Sequence, residues 1–187
     1  YGRSLGGVMN ATAKSGSNDW DFGINTYFND NRLGTSPDTY SSANRLDEDT
    51  STTADIYASG PIIKDRLFFY ALYSDDSQEQ RYAAIQSGRD YDYNVDEGFW
   101  GVKLDGYITP NHHVEYTAFS DSRQGVEGVN SFDATTFTRG DFVGNTVYDQ
   151  GGDNWIASYT GNFGNDLQVS FSYGENEANR TTAPASA

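Results

Sequence analysis

The stretch that most constrains this chain is Ala54 to Ser74, ADIYASGPIIKDRLFFYALYS, which reads as two strands joined by a tight turn. Ala54, Ile56 and Ala58 alternate with Asp55, Tyr57 and Ser59, and a period of two puts each set on one face of a strand. Gly60-Pro61 breaks the first strand, Lys64-Asp65-Arg66 makes a polar turn, and Leu67 to Tyr73 resumes the apolar pattern. No helical periodicity follows anywhere in the chain. The aromatics must therefore be covered by something other than a packed helix.

The same period recurs along the sequence. Trp20, Phe22, Ile24, Thr26 and Phe28 oppose Asp21, Gly23, Asn25, Tyr27 and Asn29; Trp100, Val102, Leu104 and Ile108 oppose Lys103, Asp105 and Tyr107. Val114 to Phe119, Trp155 to Phe163 and Leu167 to Gly174 complete seven expected strands. With 14 Tyr, 11 Phe, 3 Trp and 20 Gly against one Met, the composition favours strands and turns. The chain is expected to be all-β and antiparallel.

The connections are expected to be unequal. Lys64-Asp65-Arg66, Thr109 to His112 and Gly164-Asn165-Asp166 are short turns, whereas Asp30 to Thr52, Asp75 to Gly98, Asp121 to Asp153 and Glu175 onward read as long polar loops. Structureless connections of about 20–30 residues are rare in a soluble sandwich. An outer-membrane barrel has this plan, with short periplasmic turns and long extracellular loops. The long stretches also hold most of the formal net charge of −15, and the strands are nearly neutral. Eight residues at about 3.3 Å rise span about 26 Å, and a tilt of about 40° projects this to about 20 Å, close to the apolar band of such a barrel.

Several classes are disfavoured. A charge of −15 offers no basic footprint for nucleic acid. Zero Cys removes a disulfide framework, a thiolate metal site and a Cys nucleophile from this segment. Mean hydropathy of −0.71 is incompatible with a helical membrane protein and leaves a barrel open. No G-x-S-x-G, HExxH or P-loop occurs, so no enzymatic activity is expected, and no cofactor.

Two motifs carry a resemblance. Gly6-Gly7-Val8-Met9-Asn10, running on to Lys14-Ser15-Gly16-Ser17-Asn18, resembles the end of the plug domain of TonB-dependent outer-membrane receptors. Ser59-Gly60-Pro61-Ile62-Ile63-Lys64-Asp65-Arg66-Leu67-Phe68-Phe69-Tyr70 resembles the first periplasmic turn of their Oar-like branch, with Ser59 in place of the common first Gly and Ala11 and Ala13 where β-branched residues are usual in the plug strand. The resemblance implies that 1–18 end a plug and that 19–187 begin an up-and-down transmembrane β-barrel, about seven strands of a 22-stranded wall. It implies TonB-dependent transport across the bacterial outer membrane, gated by plug movement. The implied partners are the TonB complex, through a plug segment not present here, outer-membrane lipid, an unidentified transported substrate and a surface lipoprotein. Tyr1 is not an initiator Met, and the chain is expected to be part of a longer polypeptide. The alternatives are a secreted β-sandwich that binds carbohydrate, and a small outer-membrane barrel acting as an adhesin.

Candidate site residues follow from the same pattern. Alternation assigns Asp21, Asn25, Tyr27, Asp55, Tyr57, Lys103, Asp105, Glu115, Thr117, Ser158, Thr160, Gln168 and Ser170 to the lumen. The loop aromatics Tyr40, Tyr82, Tyr91, Tyr93, Phe132, Phe137, Phe142 and Tyr148 are candidate ligand contacts, because exposed rings among polar neighbours suit sugars, peptides or siderophores. Asp90, Asp92, Asn94 and Asp96 offer oxygens at every second position, as a calcium loop does, but Val95 stands where an EF-hand needs Gly. Adjacent His112 and His113 are expected to point to opposite faces of a solvated turn, which disfavours a metal there.

Overall fold

A computed structural model describes residues 14–33 and 47–184. Among them are ten strands and one 3-10 turn, Asn31–Leu33. The strands are β1 Asp21–Asp30, β2 Glu48–Ile63, β3 Leu67–Ala84, β4 Arg89–Thr109 and β5 His112–Ser120, then β6 Arg123–Asp133, β7 Thr138–Gly151, β8 Asp153–Phe163, β9 Leu167–Asn176 and β10 Asn179–Pro184. All ten belong to one antiparallel sheet.

At the end where β2 turns into β3, the order is β1-β2-β3-β4-β5-β8-β9, a meander of the seven expected strands. Its short turns fall where the sequence puts them, at 64–66, 110–111 and 164–166. Asp65 takes the left-handed conformation at φ 61°, which Asp tolerates.

At the other end the structure corrects the expected plan. Asp75 to Gly98 and Asp121 to Asp153 are not loops. β3 and β4 run on as 18- and 21-residue strands, roughly 60 and 70 Å of extended chain. β6 and β7 form a hairpin whose β6 pairs the upper half of β4, and β10 pairs β7. Tight turns close this end as well. Ser87 and Gly88 donate backbone N–H bonds to the carbonyls of Ala84 and Ile85, and the Asp133 carboxylate accepts from the N–H groups of Thr135 and Thr136. Both faces of these extensions are polar or mixed, so they lack the apolar-polar contrast by which a half-buried strand is recognised in sequence. β2 also runs through Gly60-Pro61, with an irregularity between Pro61 and Ile63 that accommodates the proline.

Halfway up the sheet, three breaks align: between β5 and β6, between β7 and β8, and between β9 and β10. Asp121 N–H donates to Gly152 O at 3.2 Å, Gly152 N–H returns to Asp121 Oδ1 at 3.1 Å, and Glu177 N–H donates to Asp153 O at 3.2 Å. Buried Ser120 and Asn154 complete this belt. Asn154 Nδ2 donates to Gly152 O at 3.1 Å, and Asn176 donates to Asn154 Oδ1. Gly151 has φ 85°, and a Cβ there would lie 2.1 Å from Asp121 O. Gly151→Ala is therefore expected to destabilise the sheet by about 1–3 kcal/mol. Gly144→Ala, whose Cβ meets nothing within 4 Å, is expected to stay within about 0.5 kcal/mol. Urea midpoints of the two variants check this.

The register sorts the side chains into two faces. On one stand Phe22, Ile24 and Phe28 of β1, Ala54 to Gly60 of β2, Phe69 to Tyr73 of β3, Trp100 to Leu104 of β4, Val114 to Ala118 of β5, Trp155 to Tyr159 of β8 and Leu167 to Tyr173 of β9, taking every second residue. This band contains no Asp, Glu, Lys or Arg. It is also open: Phe22 is 79% exposed, Ile24 69% and Phe171 65%. Trp20 closes one corner against Phe69, with ring centroids 5.6 Å apart, and its indole lies where a Cβ on Gly60 would be. Tyr73, Trp100, Trp155 and Tyr173 rim the band toward the belt, and Asp75, Asp153 and Glu175 follow directly above them on the same face.

Candidate ligand-binding face

The opposite face collects the polar residues. All thirteen positions assigned inward by alternation, from Asp21 to Ser170, share it. Residues 14–18 lie across its lower part. Lys14 Nζ sits 5.5 Å from the Tyr57 ring centroid, Ser15 Oγ accepts from Lys103 Nζ at 2.9 Å, and Gly16 abuts the backbone of Gly60 and Phe69. Asn18 and Asp65 exchange two hydrogen bonds, at 2.6 and 2.9 Å. The two sequence motifs, Lys14-Ser15-Gly16 and the turn around Gly60 and Asp65, thus meet in space. Leu67 to Ser74, apolar on both faces in sequence, is covered here: Phe68 is buried against Tyr107, and Tyr70 stacks on Tyr57. Gly6, Gly7, Val8 and Asn10 lie outside the described residues.

Above the belt, on the same face, four of the candidate aromatics come together. Tyr82 on β3 and Tyr91 on β4 are register partners and stack with centroids 4.8 Å apart. Tyr93, two residues along β4, meets Tyr148 of β7 edge-on at 6.0 Å. Glu127 on β6 stands opposite Tyr93, and its Oε1 accepts from the Tyr148 hydroxyl at 3.2 Å. Burial, then the Glu127 carboxylate, push the Tyr82 and Tyr148 hydroxyls above the ordinary tyrosine range. Both phenols therefore stay protonated donors well into alkaline solution. The four rings and the carboxylate form an aromatic wall that can stack a flat ring and accept hydrogen bonds from it. Gly125, beneath Tyr93, leaves room for that ring: a Cβ there would lie 3.1 Å from the Tyr93 hydroxyl.

The remaining candidates do not join this wall. Phe132 is buried and meets Phe137 edge-on at the β6–β7 turn, where Phe137 takes φ 57°. Phe142 stands exposed without a ring partner among the described residues. Tyr40 lies outside the described residues.

Asp90 to Asn94 form a strand instead of a calcium loop. Arg81 donates to both Asp90 oxygens, at 3.2 and 2.7 Å, and Arg139 donates to Asp90 Oδ1 at 2.7 Å and Asp92 Oδ1 at 2.6 Å. Asp90 is fully buried, and the two guanidinium groups neutralise the oxygens an ion would need. Burial raises the Asp90 carboxyl, but the hydrogen bonds from Arg81 and Arg139 outweigh it and hold the group below the usual carboxylate range. The Asp92 and Asn94 side chains share that face with Asp90, and the side chain of Asp96 lies outside the described residues. Alternating Asp and Tyr from 90 to 93 is a period of two: acids on one face, rings on the other.

His112 and His113 do point to opposite faces, but the expected solvated turn is the start of β5. His112 Nδ1 is 2.6 Å from the Tyr159 hydroxyl, while His113 stacks on Tyr107 and faces Asp105 and Glu115. The partners missed in sequence, Arg81, Arg139 and Glu127, all lie opposite a recognised residue across a strand pair. Only the register reveals them. No family model, curated protein or solved structure matches the chain.

Proposed function

We propose that this chain is part of the wall of a bacterial outer-membrane β-barrel of the TonB-dependent transporter type, with its lower half in lipid and its upper half outside. The observation that carries the reading is the apolar face. It runs unbroken over seven strands without one charged side chain, and among the described residues no second layer covers it. A soluble domain of this size packs such a face against another layer; hydrocarbon does the same for a barrel wall. The aromatic rim with acids directly above it suits a membrane–water boundary.

The opposite face supports a lumen. It is polar, and the segment resembling the end of a plug lies across it, tied to the turn that would face the periplasm. Strands of 18 and 21 residues, about twice what the band requires, would carry a rigid sheet above the membrane in place of loose extracellular loops. The wall of Tyr82, Tyr91, Tyr93 and Tyr148 then stands on the lumen side near the mouth. With Glu127 in it and a chain charge of −15, it favours neutral or cationic ligands with flat apolar faces, such as neutral oligosaccharides, over anions.

Fractionation of cells that make the native polypeptide tests the reading. It is expected in the outer membrane, resistant to carbonate extraction; a soluble polypeptide would end the proposal. Tyr93→Ala is expected to weaken binding of a neutral oligosaccharide about tenfold, the loss of one stacking ring, while Phe142→Ala leaves it unchanged. Titration calorimetry in detergent checks both.

A further inference from the structure

A second constellation lies on the polar face below the belt. Asp105 and Glu115 are register partners across β4 and β5, and His113 is two residues along β5 on the same face. Register partners are the closest side chains two paired strands can present, and a diagonal neighbour two residues along is still within reach of a long side chain. The ligand atoms of the three residues lie within 4.8 Å of one another. Ligand atoms about 2.1 Å from one ion in a tetrahedral shell lie about 3.4 Å apart, so side-chain rotations that move these atoms by roughly an ångström bring all three onto a common ion.

Two buried atoms here make no hydrogen bond within the protein. Asp105 is only 3% exposed, and its Oδ2 is buried with no hydrogen-bond partner. His113 Nε2 is also buried without one, 3.4 Å from Asp105 Oδ1. Native proteins rarely leave a buried carboxylate oxygen and an imidazole nitrogen unsatisfied side by side. Tyr107 stacks on His113 at 4.4 Å and fixes the ring plane. The neighbouring cation, Lys103, does not satisfy either atom. Its Nζ is 2.8 Å from Glu115 Oε1 and 3.4 Å from Asp105 Oδ1, and it already reaches Ser15 Oγ at 2.9 Å.

We propose that Asp105, His113 and Glu115 bind a divalent transition-metal ion of the Zn²⁺ type, with the Lys103 ammonium as a displaceable occupant that withdraws to Ser15 when the ion enters. One imidazole nitrogen with two carboxylates suits Zn²⁺ and its first-row neighbours better than Ca²⁺ or Mg²⁺, which prefer all-oxygen shells. The site stands whether or not this face lines a lumen.

The test uses the native polypeptide in detergent, stripped with EDTA and titrated with ZnCl₂ by calorimetry, with Co²⁺ as an optical probe. One ion per chain is expected, with Co²⁺ giving the visible absorption of a low-symmetry site. His113→Gln and Glu115→Gln should each weaken Zn²⁺ at least about tenfold. Lys103→Met, which removes the competing charge, should tighten it several-fold. A mere ion-pair network predicts no tightening, and this variant keeps the test decisive even if a ligand variant misfolds. Absence of binding to the native chain, binding that His113→Gln leaves intact, or no gain from Lys103→Met overturns the assignment.

Discussion

Ile24→Arg is expected to cost the native polypeptide about 2–4 kcal/mol, the depth-dependent penalty for a cation on the lipid face of a barrel near the bilayer midplane. Ile24 lies midway along β1 between Trp20 and Phe28 and is 69% exposed in the protein alone. In water, an arginine at such a site changes stability by no more than about 0.5 kcal/mol. The surrounding solvent, not the contacts within the chain, therefore sets the size of the effect. Asn25→Arg, one residue on and on the other face, is the control and is expected to stay within about 0.5 kcal/mol. Urea unfolding in lipid vesicles, followed by tryptophan fluorescence, measures both. Equal, small effects would mean that the Ile24 face is in water.

Asp90→Ala is expected to be the most damaging single change above the belt. Asp90 is fully buried between Arg81 and Arg139, and its removal leaves Arg139 with Asp92 and takes from Arg81 the only carboxylate it hydrogen-bonds among the described residues. Breaking a buried ion pair by deleting one partner costs about 3–5 kcal/mol. Both arginine side chains are about a third open to water and can rehydrate, which sets the loss near the lower end, about 3 kcal/mol. Asp141→Ala, on the exposed part of β7, is expected to change stability by no more than about 0.5 kcal/mol. Hydrogen exchange of the β3, β4 and β6 amides above the belt measures the difference, and a loss below about 1 kcal/mol for Asp90→Ala would contradict the account.

The same carboxylate gives a pH dependence with a definite sign. Its folded pKa lies below the unfolded value of about 3.9. Its contribution is therefore complete above that value and is lost as pH falls through the folded pKa. Protection of the upper amides should decline in acid below about pH 4, and Asp90→Asn should flatten that decline.

What could be read from the sequence depended on contrast between faces. Trp20 to Phe28 or Leu167 to Tyr173 announce themselves because an apolar residue stands at every second place and a polar one between. The turns at Asp65 and Gly164 announce themselves by residues that tolerate positive φ. Gln78-Glu79-Gln80-Arg81 gives no such signal. Both of its faces are polar, and it is a strand because β2 and β4 supply backbone partners along its whole length. The belt was illegible for a related reason: Asp121, Gly152 and Asn154 are loop-forming residues individually, and only their alignment across neighbouring strands makes them a structural element. The tyrosine wall was half legible. Tyr82, Tyr91, Tyr93 and Tyr148 stood out as aromatics in polar surroundings, but nothing local could separate them from Phe132, which turned inward, or supply Glu127. Asp90 to Asp96 reads as an acidic loop in sequence and is a strand in the structure: oxygen ligands at alternate positions and a strand with one acidic face share a period, and the arginines that pair with the acids, Arg81 and Arg139, stand 9 and 49 residues from Asp90.

The most direct measurement is site-directed spin labelling of β9, in a segment that holds no cysteine of its own. Single cysteines placed in turn from Leu167 to Tyr173 along β9, spin-labelled in the native polypeptide in its membrane, report contact with lipid through dissolved oxygen and contact with water through a soluble nickel chelate. Oxygen access at 167, 169, 171 and 173, with nickel access at 168, 170 and 172, is the predicted result. Nickel access at every position, or the opposite alternation, would contradict a membrane wall.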